Sequence, residues 1–133
     1  MNISNIEKVL SASRENGDEK LRIIQELVPG KQITLAHIIA NPDPVLYQKL
    51  GIDPKLDYSH TAIGVLTVSP AETAIIAADV SMKASGAELG FVDRFSGTLL
   101  ITGSISDVEA ALRAVTEYAR EKLGFNVCEV TRT

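Results

Sequence analysis

The stretch that decides the fold reads Ala62-Ile63-Gly64-Val65-Leu66-Thr67-Val68 and continues Ser69-Pro70-Ala71-Glu72. Its first seven residues are a short apolar run rich in β-branched side chains, the composition of a buried strand. The next four set a serine where a helix N-cap belongs, a proline in the first turn and a glutamate at the third position, which predicts a helix start. That helix is expected to reach about Ser85. It is apolar nearly all round, through Ala74, Ile75, Ile76, Ala77, Ala78 and Val80. A helix of this kind buries two faces, one on its own sheet and one on a neighbouring subunit.

Downstream, Glu88 to Phe95 and Thr98 to Ser104 read as two strands around Ser96-Gly97, a hairpin or tight connection. Ser106-Asp107-Val108-Glu109 reads as a capping box for a second long helix. Its apolar stripe is Val108, Ala111, Leu112, Val115, Ala119 and Leu123, and Gly124 stands at its left-handed end. Phe125 to Val130 is expected to close the chain as a strand. Upstream, Gln32 to Ala40 alternates, with Ile33, Leu35, His37 and Ile39 on one face and Thr34, Ala36 and Ile38 on the other. Asp43-Pro44 starts a short helix that Gly51 ends, and Asp53 to Ser59 carries loop chemistry. Leu21 to Val28 reads as a short strand before the Pro29-Gly30 turn. Residues 1–20 are a tail. Ile3, Ile6, Val9 and Leu10 recur at helical spacing around Ser4-Asn5-Ile6-Glu7, and a polar stretch follows, so the tail is either a short amphipathic helix or disordered. The fold class is α+β, one sheet with helices packed on one face, over residues 21–133.

The composition narrows the function. With 133 residues, 45% apolar and 23% charged, the chain fits one folded domain with a real core. Only 5% of residues are aromatic and none is Trp, which leaves few platforms for stacking bases or sugars. A net charge of −4 repels a phosphate backbone, so nucleic acid is not an expected partner. No apolar run approaches the roughly 20 residues of a membrane span. The single Cys128 and the lack of a basic-then-apolar leader make the cytoplasm the expected compartment.

Candidate chemistry is sparse. His37, on a strand among apolar neighbours, has the residue type of a base near neutral pH, but nothing pairs it with a nucleophile, and a packing role is the better reading. Cys128 has no local His or Asp motif and reads as an inert small hydrophobe. Two distant histidines and one cysteine give no ligand spacing, so no metal or cofactor is expected. Gly86 to Gly90 opens a strand rather than a helix and does not form a phosphate cradle. Asp93 and Arg94 could serve as acid and anion clamp, yet neighbours on a strand point to opposite faces. By themselves the residues reach an oligomer-prone α+β domain without a recognisable active site, and an oligomeric small-ligand-binding or regulatory protein is the alternative to a structural one.

Several segments, in order, resemble one family. They are Arg22-Ile23-Ile24-Gln25-Glu26, Val28-Pro29-Gly30-Lys31-Gln32, Thr34-Leu35-Ala36-His37, Ile39-Ala40-Asn41-Pro42, Ala62-Ile63-Gly64, Glu72-Thr73-Ala74, Gly90 to Gly97, and Cys128 to Thr133. Over residues 22–133 the chain resembles the circularly permuted shell proteins of bacterial microcompartments, the PduU/EutS type. The resemblance implies a permuted shell domain in which the strand and short helix that normally close the fold come first. It implies a non-enzymatic wall component that forms homohexamers and meets other shell proteins. Asp93, Arg94, Phe95, Ser96 and Gly97 match the loop facing the central pore. Ile23, Ile24, Gln25 and Glu26, within Leu21 to Val28, match a strand that plugs that pore as part of a small barrel. Lys83 matches the lysine at the hexamer edge, and Asn41 stands where ordinary members carry an edge arginine. His37 matches a histidine at subunit contacts. Thr61 replaces a glycine of bent relatives, which implies a planar hexamer. The tail's apolar stripe is a candidate contact for shell or cargo proteins.

Overall fold

The computed structural model describes residues 30–51 and 61–133. The tail helix at Ile3 to Leu10, the strand from Leu21 to Val28, the whole Asp53 to Ser59 loop and His60 therefore lie outside the described residues. The elements run β1 (Gln32–Ile39), α1 (Pro44–Lys49), β2 (Ala62–Ser69), α2 (Thr73–Ala84), β3 (Glu88–Asp93), β4 (Thr98–Gly103), α3 (Ile105–Glu121), β5 (Asn126–Val127) and β6 (Thr131–Arg132). The strands form one mixed sheet in the order β3-β4-β2-β1-β5, with β6 also on β1.

The α+β reading holds, with one correction: the helices are not all on one face. Helices α2 and α3 cover the side reached by Ala62, Leu66, Leu99 and Ile101, and the α3 stripe of Val108, Ala111, Leu112, Val115 and Ala119 is buried there. Each fully buried Val or Leu on that stripe contributes about 1.5–3 kcal/mol relative to exposure. Gly64 lets α3 ride close on β2, because a Cβ there would stand 2.7 Å from Val108 Cγ1. Helix α1 covers the opposite side, where Tyr47 packs with Ile63 and Leu100.

The expected alternation in β1 breaks at its start. Ile33 pairs with Val68 and Leu35 with Thr67, a bulge that places one extra residue in β1. One added residue flips the face of everything before it. Ile33 therefore joins Ala36 and Ile38 in the helix-side core, rather than sharing a face with Leu35, His37 and Ile39. The same bulge accounts for the end of the chain. Phe125 to Val130 is not one strand: β5 and β6 run parallel to β1 in a single register, Ile33 opposite Val127 and His37 opposite Thr131, and the ladder lapses beside the bulge.

The starts of the two long helices, α2 and α3, differ from expectation. Ser69 does not cap α2, because its backbone closes the β1–β2 ladder opposite Gln32. A turn follows, with Thr73 N–H on the Pro70 carbonyl at 3.0 Å, and Glu72 occupies the cap position without a side-chain bond. For α3 the cap is Ser104, whose hydroxyl accepts the Asp107 N–H at 3.1 Å, two residues before the expected Ser106. At the far end Gly124, at φ 69°, turns the chain so that the Phe125 N–H returns to the Ala119 carbonyl at 2.9 Å.

Candidate functional site

The β3–β4 connection is a hairpin, and its loop is the most sharply built surface feature. Strand β3 ends at Asp93 rather than Phe95, because the Asp93 carboxylate takes the chain out of the ladder. Its Oδ1 accepts the Phe95 N–H at 2.9 Å and the Ser96 N–H at 3.3 Å. The backbone N–H of Phe95, foremost, and then Ser96 hold the Asp93 carboxyl below the usual carboxylate range. The Gly97 N–H closes on the Asp93 carbonyl at 2.9 Å, and the Gly97 carbonyl accepts the Val68 N–H at 2.9 Å. Gly97 needs to be glycine twice over. Its φ is 76°, and an added Cβ would press into the Val68 carbonyl oxygen and stand 3.1 Å from Ala71 Cα.

The loop therefore has a fixed backbone and an exposed tip. Phe95 is 83% exposed, and the Arg94 guanidinium lies over its ring at 5.0 Å from the centroid. Ser96 turns back, its hydroxyl donating to Thr98 Oγ1 at 3.0 Å. Arg94 belongs to the turn, so Asp93 and Arg94 do not form a strand pair. One carboxylate oxygen of Asp93, Oδ1, is engaged by the loop's own backbone.

The other predicted residues lie apart from this loop. His37 Nδ1 is 2.6 Å from Thr131 Oγ1 and its Nε2 is 2.9 Å from Thr133 Oγ1. Both nitrogens are thus held inside the chain, and any contact with a neighbouring subunit goes through the ring's faces and edge. Lys83, on α2, donates to Asp79 at 2.8 Å with three quarters of its side chain exposed, and that hydrogen bond raises its pKa. Asn41 is exposed between β1 and α1. Burial pushes the half-buried Cys128 thiol up, which disfavours the reactive thiolate.

Among the described residues, no group of three or more His, Cys, Asp and Glu could hold a metal ion. An open cleft of about 480 Å³ lies between α3 and the C-terminal segment, edged by Arg113, Glu117, Arg120, Glu121 and Glu129. Its charges are mixed, and Arg113 already meets Glu109 at 3.1 Å. The second apolar face expected of α2 is present: Ile75 and Ile76 are 50% and 43% exposed in the single chain. Sequence reasoning missed the threonine hydroxyls on His37 and the Thr34–Thr67 hydroxyl pair at 2.6 Å. A hydroxyl residue on each of two neighbouring strands was the available signal, but it needs the register to be read.

Comparison with known proteins places this geometry. The family profile described as BMC domain matches residues 62–131. The bacterial microcompartment shell protein PduU of Salmonella typhimurium is 49% identical over 112 residues, covering 84% of this chain and 93% of the relative. The shell protein EutS of Escherichia coli is 46% identical over 115 residues, covering 86% and 99%. Among solved structures, the CutR flat hexamer, form 1, superposes with a TM-score of 0.73 at 45% identity, covering 80% of this chain and 94% of that one. The profile match begins at Ala62, so β1 and α1 precede it.

Proposed function

Because this chain belongs to the BMC domain family, we propose that it is a structural shell protein of a bacterial microcompartment, built as a homohexameric tile in a cytoplasmic organelle wall. The observation that carries the assembly is the outward pair Ile75 and Ile76. They lie half exposed on a helix whose other side is already buried, and an apolar face of this kind is stabilised by a covering subunit. The similarity to PduU, EutS and CutR supplies the kind of assembly.

In this reading Asp93 to Gly97 faces the central pore, and the rigid hairpin supports that role. Ile23, Ile24, Gln25 and Glu26 belong to a strand that plugs the pore, Lys83 and Asn41 lie at the hexamer edge, and His37 lies near a subunit contact. Thr61 favours a planar ring. The tail up to residue 20 is a docking element for another shell protein or for cargo. The role is structural rather than catalytic. Support comes from the His37 nitrogens, both engaged by threonines, and from the raised Cys128 pKa. The test is to express the tagged chain beside the other shell proteins of a compartment and isolate the particles. Tag in the particle wall supports the reading. Tag found only in the free protein fraction, with intact particles present, contradicts it.

A further inference from the structure

The loop tip poses a physical question that the tile reading alone does not answer. Phe95 is the most exposed large apolar side chain among the described residues, at 83%, so in an isolated subunit its ring gains little from apolar burial. Its backbone is nonetheless fixed from three directions: the Asp93 carboxylate on the Phe95 and Ser96 N–H groups, the Gly97 N–H on the Asp93 carbonyl, and the Val68 N–H on the Gly97 carbonyl. The Arg94 guanidinium stacked on the ring orients it further. A side chain presented on a preordered loop has already lost most of its conformational freedom, so burying it on assembly costs little more.

We propose that the Phe95 rings of the six subunits meet on the ring axis and close it as an apolar plug, denying passage to ions and strongly hydrated solutes. This rests on the reading that Asp93 to Gly97 faces the pore, and it goes further by assigning the closure to one side chain. The charges of the loop permit the convergence. Asp93 turns its carboxylate inward on its own backbone, Arg94 forms no ion pair among the described residues, and the two charges cancel within each subunit. Each guanidinium occupies one ring face and leaves the other face and the edge for neighbouring rings, the offset and edge-on arrangements aromatic groups prefer. The plug is independent of the strand expected at Leu21 to Val28 and forms a separate barrier.

The chain has no Trp, so Phe95→Trp places a single indole at the tip. In full-length protein shown to be hexameric by native mass, the plug predicts blue-shifted emission and weak quenching by acrylamide, both lost when the ring dissociates. Emission like free indole from an intact hexamer overturns it. A second variant, Phe95→Asp, sets carboxylates together on the axis. The expected result is a hexamer that dissociates at low salt and recovers at high salt, although a position so exposed tolerates aspartate in a separate subunit. An unaffected hexamer at low salt also overturns the plug. A third variant separates the two levels of the argument. In a Cys128→Ala background, Phe95→Cys treated with a short bifunctional thiol reagent links subunits if the loops converge. Links combined with a solvated indole remove the plug alone, whereas an intact hexamer without links removes the axial placement as well.

Discussion

Gly97 is where the loop architecture can be tested as an energy difference. Replacing it by alanine forces an L residue to hold φ 76°, at a cost of about 1 kcal/mol. It also drives a methyl group into the Val68 carbonyl oxygen with Ala71 Cα 3.1 Å behind it, so neither neighbour is the free end of a flexible side chain. Relief requires the loop to lift from β2, which strains packing by roughly 1–3 kcal/mol and weakens the Val68 N–H bond to Gly97, about 1 kcal/mol more. The total expected for Gly97→Ala is about 3–5 kcal/mol, roughly 10–20 °C in Tm for a domain of this size. Gly124 is the internal control. It has φ 69° but nothing within 4 Å of an added Cβ, so Gly124→Ala incurs only the backbone cost of about 1 kcal/mol. Urea denaturation of both variants at one fixed protomer concentration separates conformational strain from steric strain. Equal losses would refute the reasoning, because they would mean that the Gly97 loop is not seated against Val68 and Ala71.

Three further expectations follow from single side chains. Ser81 is fully buried on α2 and its hydroxyl has no partner among the described residues, so Ser81→Ala should stabilise the fold by about 1 kcal/mol in the same denaturation assay; a destabilised variant would mean that the hydroxyl is bonded. Asp93 has a lowered folded-state pKa, so its contribution to stability is complete above the unfolded-state value and is lost as pH falls through the folded one. Carboxyl NMR should find Asp93 titrating below the ordinary aspartate range, and the cost of Asp93→Asn should shrink as pH drops through that interval; a normal titration would contradict the loop geometry. Lys83 and Asp79 form an exposed pair on one helix face, so Lys83→Ala should leave hexamer mass and Tm nearly unchanged while abolishing extended sheets in electron micrographs; persistent sheets would remove Lys83 from the edge.

Much of this fold was legible because the long elements carry strong periodic signals. The α3 stripe from Val108 to Ala119 is buried residue for residue, and the doubly apolar composition of α2 anticipated the exposed Ile75 and Ile76. What the sequence hid was settled by pairing partners. The bulge at Ile33 to Leu35 inverts a face without leaving any compositional mark, since register depends on Val68 and Thr67 across the ladder. Ser69 has ideal capping chemistry, but the strand used its backbone first. Ser104 and Ser106 are chemically equal, and the end of β4 decided between them. At the candidate site, residue types and the Asp93 to Gly97 boundaries were readable from the family resemblance. The Asp93 bonds to its own loop, which make the tip rigid, needed coordinates. The hydroxyls on His37 come from residues more than ninety positions away, beyond the reach of any local motif.

The central claim is that this chain acts as a ring of identical subunits, and native mass spectrometry of the full chain at micromolar concentration tests it most directly. The account predicts a dominant species near 86 kDa, six copies of a 14.3 kDa protomer. A clean 14.3 kDa monomer at that concentration would contradict it.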